Sequence, residues 1–228
     1  MTQPLTISDI ESAERVLGVS YSASERQQMV DNLEGQIASA LLRRAAPIDN
    51  TVPMASRFDP RLPGFGMPAA TGTRFSTPAT PALPTSDEDI AFAPITQLAA
   101  WLGAGLLTSR RLTEIYLARI ALLDPQLECF AMVTPERALA EADAADALLR
   151  VGINLGPLHG IPYGLKDLFD TRGIVTGWGA EPFRDRVPEA DATIVGMLRA
   201  AGAVLLGKTT LGALAYNNIW YGGVTRNP

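Results

Sequence analysis

Residues 156–170 read GPLHGIPYGLKDLFD, a short apolar run opened by glycines and prolines and closed by a lysine. Side chains on an extended strand alternate with period two. Ile161, Tyr163 and Leu165 therefore share one face, and Pro162, Gly164 and Lys166 the other. A glycine beside a strand end leaves room for a second backbone or a substrate to approach. Lysine is almost never fully buried unless paired, so its place here asks for a reason. One reason is chemical: desolvation lowers a lysine's pKa and can leave a neutral amine that acts as a base.

Outward from this strand, helical and extended patterns alternate. Pro94 to Leu102 opens a helix with Leu98, Trp101 and Leu102 on one side. Thr108 or Ser109 caps the next, striped by Leu112, Ile115, Tyr116 and Leu123 and expected to end before Pro125. Phe130 to Val133 reads as a strand. Thr134 and Pro135 start an alanine-rich helix running to about Arg150, where Ala138, Ala142 and Ala145 permit close approach to a sheet. Asp191 begins a helix that stops at Gly202, and Ala203 to Leu206 follows as a buried strand. Strands separated by helices predict an α/β fold with a mixed, mostly parallel sheet flanked by helices.

The front of the chain differs in texture. Capping boxes at Ser8–Glu11 and Ser22–Glu25, with Gly18 as a stop between them, predict a helical hairpin over residues 1–46. Met29, Leu33, Ile37 and Leu41 give its second helix an apolar stripe. Prolines 47, 53, 60, 63, 68, 78, 81 and 84 forbid a continuous helix and predict an extended connector over 47–86. Residues 87–228 form the main domain.

Composition narrows the function. The 228 residues carry a net charge of -5, which argues against a nucleic-acid surface. The single cysteine, Cys129, excludes an intrachain disulfide framework and a cysteine-cluster metal site. MTQPLTISDI has neither the basic nor the apolar region of a secretory signal, and no apolar run approaches the ~20 residues that span a membrane. A cytoplasmic protein is expected.

Several motifs have competing readings. Gly202–Thr209, GAVLLGKT, matches the phosphate-binding pattern G-x-x-x-x-G-K-[ST]. A true phosphate loop follows a strand and cradles phosphates with loop amides. Here a helical pattern precedes Gly202, and Ala-Val-Leu-Leu favours a strand, so a helix cap, core strand and turn is the preferred reading. His159 fits a turn histidine bonded to local backbone better than a general base. Asp167 and Asp170 read as structural carboxylates. Asp167 should point away from Lys166, because a direct pair would hold the lysine protonated.

The 156–170 block resembles the amidase signature family, in which the lysine of a G-x-P-x-x-x-K-D block is the catalytic base. Gly160, Pro162, Lys166 and Asp167 match that block position by position. The resemblance continues through Asp191 to Ala215 and extends over roughly Asp87 to Pro228. It implies an amidase that hydrolyses a carbon–nitrogen amide bond of a small molecule through a serine–cis-serine–lysine triad. Lys166 is then the base, Gly177 and Trp178 lie in the pocket wall, and Asn217, Asn218, Trp220 and Tyr221 line the same cleft. No cofactor or metal is implied, and neither nucleic acid nor membrane is a partner. A homodimer or a partner subunit is compatible with it. The family's two serines follow a T-R-N-P-like stretch, here Thr225–Pro228, and no GSSG-type sequence occurs in these residues. On this alignment the chain is an incomplete amidase holding only the lysine of the triad, and it is expected to be inactive by itself. The alternatives are the amidase subunit of a tRNA-dependent amidotransferase and a P-loop nucleotide-binding protein.

Overall fold

The computed structural model describes residues 4–228 except 50, 51, 53, 57, 70, 71 and 73–79. It divides into two compact units, Met1–Gly72 and Thr73–Pro228. In the first, α1 (Ile7–Leu17) and α2 (Ala23–Ala45) form the expected hairpin. Ser22 and Glu25 make the predicted box before α2. The box before α1 is Thr6 with Asp9, two residues ahead of the expected Ser8–Glu11, and its reciprocal bonds satisfy two amide donors. Gly18 closes α1 in the left-handed region at φ 68°. Arg26 on α2 holds Glu14 of α1 with two hydrogen bonds of 2.8 and 2.7 Å. No residue of α2 is buried, and Ile37 and Leu41 of its apolar stripe are exposed. Between residues 46 and 86 the described residues form neither helix nor strand; Pro53 and Pro78 of the expected connector lie outside the described residues.

The second unit begins with α3 (Asp87–Ala91), α4 (Ile95–Gly103) and α5 (Ser109–Leu127). Leu98, Trp101, Leu102, Leu112 and Ile115 of α4 and α5 form one core cluster with Ile161. Helix α5 does not end before Pro125 but continues two residues past it. The donor proline lacks is offset locally: Glu128 N–H bonds the Asp124 carbonyl, and the Asp124 carboxylate accepts from Cys129 and Phe130 amides at 2.7 and 2.9 Å.

Strand β1 (Phe130–Val133) leads into α6 (Pro135–Arg150), which has Pro135 in its first turn as expected. β2 (Pro162–Lys166), α7 (Thr193–Ala200) and β3 (Val204–Thr209) complete the sheet in the order β1-β3-β2. β3 pairs parallel with β2 and antiparallel with β1, so this is a mixed sheet. Ala138 and Ala142 of α6 are fully buried against Val204 and Leu206 on one face. Val195 of α7 packs with Leu165, Ile174 and Leu205 on the other. A short hairpin of β4 (Ile219–Trp220) and β5 (Gly223–Val224) follows.

Candidate active site

Lys166 is the last residue of β2, and the preceding turn sets how that strand enters the sheet. Gly160 adopts φ +74°, and a Cβ there would lie 2.9 Å from Ser109 Cβ. Ser109 hydroxyl donates to the Gly160 carbonyl at 2.8 Å, and Gly160 N–H donates to the Gly202 carbonyl at 2.8 Å. The turn is thus pinned to α5 and to the start of β3. His159 is 2% exposed; its Nδ1 accepts from Leu155 N–H and its Nε2 donates to the Ala145 carbonyl. Both nitrogens are committed to backbone, as the turn reading expects.

Along β2 the alternation holds: Leu165 is buried, while Gly164 and Lys166 are exposed. Lys166 pairs in register with Thr209, which in turn pairs with Phe130, so the three form a row across the sheet. A Cβ on Gly164 would meet Thr209 Cγ2 at 3.0 Å and the Phe130 ring at 3.7 Å, which places Gly164, Thr209 and Phe130 on the Lys166 face. The Lys166 amine makes no hydrogen bond or ion pair with any described residue. The 225–228 stretch lies beside this row. Thr210 and Thr225 hydroxyls are 2.6 Å apart, Thr225 donates to the Glu128 carbonyl, and Arg226 N–H donates to the Leu127 carbonyl.

The opposite face carries a buried polar cluster. Against β2, β3 contains one extra residue, Leu206, between the pairs Tyr163–Leu205 and Gly164–Gly207. This bulge resets the alternation and sends Lys208 to the Leu165 side. There its ammonium donates to the Phe169 carbonyl at 2.6 Å, Thr176 Oγ1 at 2.8 Å and Thr171 Oγ1 at 3.3 Å. Asp167 Oδ1 stands 3.8 Å away, an ion pair without a hydrogen bond. Asp167 Oδ2 accepts from Gly177 N–H at 3.0 Å, so the Asp167 carboxylate faces away from Lys166. Burial pushes the Lys208 amine down to about 8 and the Asp167 carboxyl upward, each opposed by the other's charge. Asp170 binds Arg186 at 2.7 and 2.5 Å, which lowers its carboxyl pKa.

The sequence marks Lys208 only as a phosphate-loop candidate. The segment is instead a helix end and a strand: Gly202 at φ +76° ends α7, and β3 runs through Gly207, Lys208 and Thr209 rather than turning there. The one available signal was Gly207. A Cβ there would lie 2.2 Å from the Met132 carbonyl, the close backbone approach that glycine in a strand marks.

Gly177 is buried, and a Cβ on it would meet the Tyr221 ring at 2.6 Å. Trp178 has φ 52°, stacks on the Arg186 guanidinium at 4.0 Å and tilts against Phe183. It lines an open depression of about 360 Å³ with Leu168, Phe169, Asp170, Asp191 and Ala192. Lys166 does not line that depression, and neither do Asn217, Asn218, Trp220 or Tyr221. The 177–179 turn interlocks with residues 211–221: Leu214 N–H bonds the Trp178 carbonyl and Tyr221 N–H the Gly179 carbonyl. Leu214, Ala215 and Asn217 also have positive φ, so unusual backbone concentrates where these two loops meet. Among the described residues, no group of His, Cys, Asp or Glu is arranged to hold a metal ion, and no helix is long and apolar enough to cross a membrane.

Comparison with known proteins points to one family. The family model described as Amidase matches residues 111–228. A glutamyl-tRNA(Gln) amidotransferase subunit of Acinetobacter baumannii (strain AYE) is 45% identical over 137 residues, covering 59% of this chain and 28% of that protein. The putative amidase AmiD of Mycobacterium tuberculosis (strain ATCC 25618 / H37Rv) is 48% identical over 134 residues, 58% of this chain and 28% of its own. The native peptide amidase of Stenotrophomonas maltophilia superposes with a TM-score of 0.57 at 40% identity, over 60% of this chain and 30% of that structure. The matched stretch thus amounts to less than a third of each relative.

Proposed function

The chain belongs to the amidase family, and we propose that it supplies the catalytic base, Lys166, of an enzyme that cleaves a carbon–nitrogen amide bond. The observation that carries this reading is the separation of charges at the end of β2. Lys166 projects on one face without a counter-ion among the described residues, while the adjacent Asp167 is committed to Gly177 and Lys208 on the other. A neutral Lys166 would accept the proton of one serine, which relays that of a second. The second serine attacks the amide carbonyl to give an acyl-enzyme that water releases. Both serines are assigned by family resemblance to sequence outside these 228 residues. Gly177 and Trp178 stay proposed for the pocket wall on the family resemblance, since the depression that Trp178 lines does not include Lys166.

The test is made on the complete protein containing this chain, assayed on aryl and aliphatic amides. Lys166→Ala should abolish turnover, a loss on the order of 10⁴-fold or more because triad members act as a unit. Retained activity in that variant would reject Lys166 as the base. A second reading, as the amidase subunit of a tRNA-dependent amidotransferase, draws on the 45% identity to a protein of that kind. It requires a partner subunit, so co-purification with one and glutamine-dependent amidation of charged tRNA would select it over the stand-alone hydrolase. A cytoplasmic location completes this reading, and cell fractionation tests it.

A further inference from the structure

The chain contains two lysines against seventeen arginines, and both lysines lie in the one three-stranded sheet. Lys208 is 0% exposed, and the proton relay proposed for Lys166 does not use it. An ammonium has three donors. The oxygens of Phe169, Thr171 and Thr176 match them in number, and Asp167 supplies the counter-charge. All four groups belong to the segment 167–176, which leaves β2 directly after Lys166. Asp167 is also tied by its amide to the Thr209 carbonyl at 2.9 Å. The remaining charges acting on this ammonium are Asp170 and Arg186, which neutralise each other as a pair. Arginine would not substitute: its planar fork cannot converge on one compact set of oxygens as a point charge does.

We propose that Lys208 is a positioning residue for Lys166. Its ammonium is a tethered internal cation that gathers the 167–176 segment on one face of the sheet and fixes the strand end from which Lys166 projects on the other. The inference rests on the reading of Lys166 as the base. Removing the cation leaves the Asp167 carboxylate buried and unpaired, which forces the segment to rearrange. A displacement of ~1 Å in a reacting group can cost about 100-fold in rate.

The experiment compares Lys166→Ala, Lys208→Met and Thr176→Val in the complete protein. It measures kcat and KM on an amide substrate and amide hydrogen exchange at Asp167 and Gly177. Methionine keeps the length and packing of the stem while deleting the charge. Lys208→Met is expected to lower kcat about 100-fold with KM nearly unchanged, and to speed exchange at both amides about tenfold. Thr176→Val removes one oxygen and should show the same pattern at roughly a tenth of the size; it decides the matter if Lys208→Met does not fold. Wild-type kcat and exchange in Lys208→Met, or in Thr176→Val where the former is unfolded, would overturn the inference, as would a change confined to KM. An active Lys166→Ala would instead reject the base assignment and with it the catalytic half of this proposal. The exchange data would then judge the anchoring half by itself.

Discussion

Asp167 and Asp170 stand three residues apart and meet opposite electrostatic environments. Asp167 is buried with its lysine at 3.8 Å, and burial raises its pKa. Asp170 is a third exposed and doubly bonded to Arg186, whose guanidinium holds the Asp170 carboxyl below its ordinary 3.8. A carboxyl with a lower pKa folded than unfolded contributes stability that is fully present above the unfolded pKa. That contribution disappears as pH falls through the folded value. The protein should therefore lose melting temperature below about pH 3.8 in part through this pair. Thermal melts between pH 5 and 2 should show a shallower acid decline in Asp170→Asn than in the parent, and parallel curves would contradict the assignment. His159, Asp167 and Asp170 were legible as structural residues because a turn of Gly, Pro, Asp and Thr draws side chains into backbone bonds. The partners Lys208 and Arg186 were not legible, since nothing in sequence spacing places residues 39 and 16 positions away beside Phe169 and Asp170.

Among the elements, β3 is the one whose details matter most. It is buried from Val204 to Lys208, pairs on both edges and carries the bulge that turns Lys208 inward. Gly207 sits at that bulge, under the Met132 carbonyl. Gly207→Ala would drive a methyl group into backbone that cannot yield as a flexible side chain would, and should cost roughly 2–3 kcal/mol. Chemical denaturation of the variant checks this, and a cost below about 1 kcal/mol would show that β1 can move aside. The existence and type of β1, α6, β2 and α7 were readable from periodicity and caps. The end of β3 was not, because Gly-Lys-Thr reads locally as a turn and only ladder partners on both sides make it strand. The extension of α5 past Pro125 has the same character: it depends on Asp124 bonding two amides beyond the helix.

At the scale of the molecule, the chain separates into the units 1–72 and 73–228. We propose that residues 47–86 connect an N-terminal helical segment, 1–46, to the amidase part, 87–228. Limited proteolysis should then cut first between 47 and 86, because the described residues there form neither helix nor strand and such backbone enters a protease most readily. Mass spectrometry of the fragments should recover a resistant core beginning near residue 87. First cuts inside α5 or α6 would refute this organisation.

Sequence by itself determined the order of helices and strands from α4 to β3, the α/β class, the hairpin at the front and the lysine that ends β2; α3 and the β4–β5 hairpin came only with the structure. The features legible in sequence follow from short-range causes: period-two and 3.6-residue patterns, capping side chains, and the backbone limits of proline and glycine. Tertiary structure alone decided which lysine is buried, which way Asp167 faces and which loops interlock around Trp178. Those outcomes hang on a single extra residue in β3 and on contacts between segments far apart in the chain. The free energy of burying a charge depends on which oxygens the whole fold brings within about 3 Å of it.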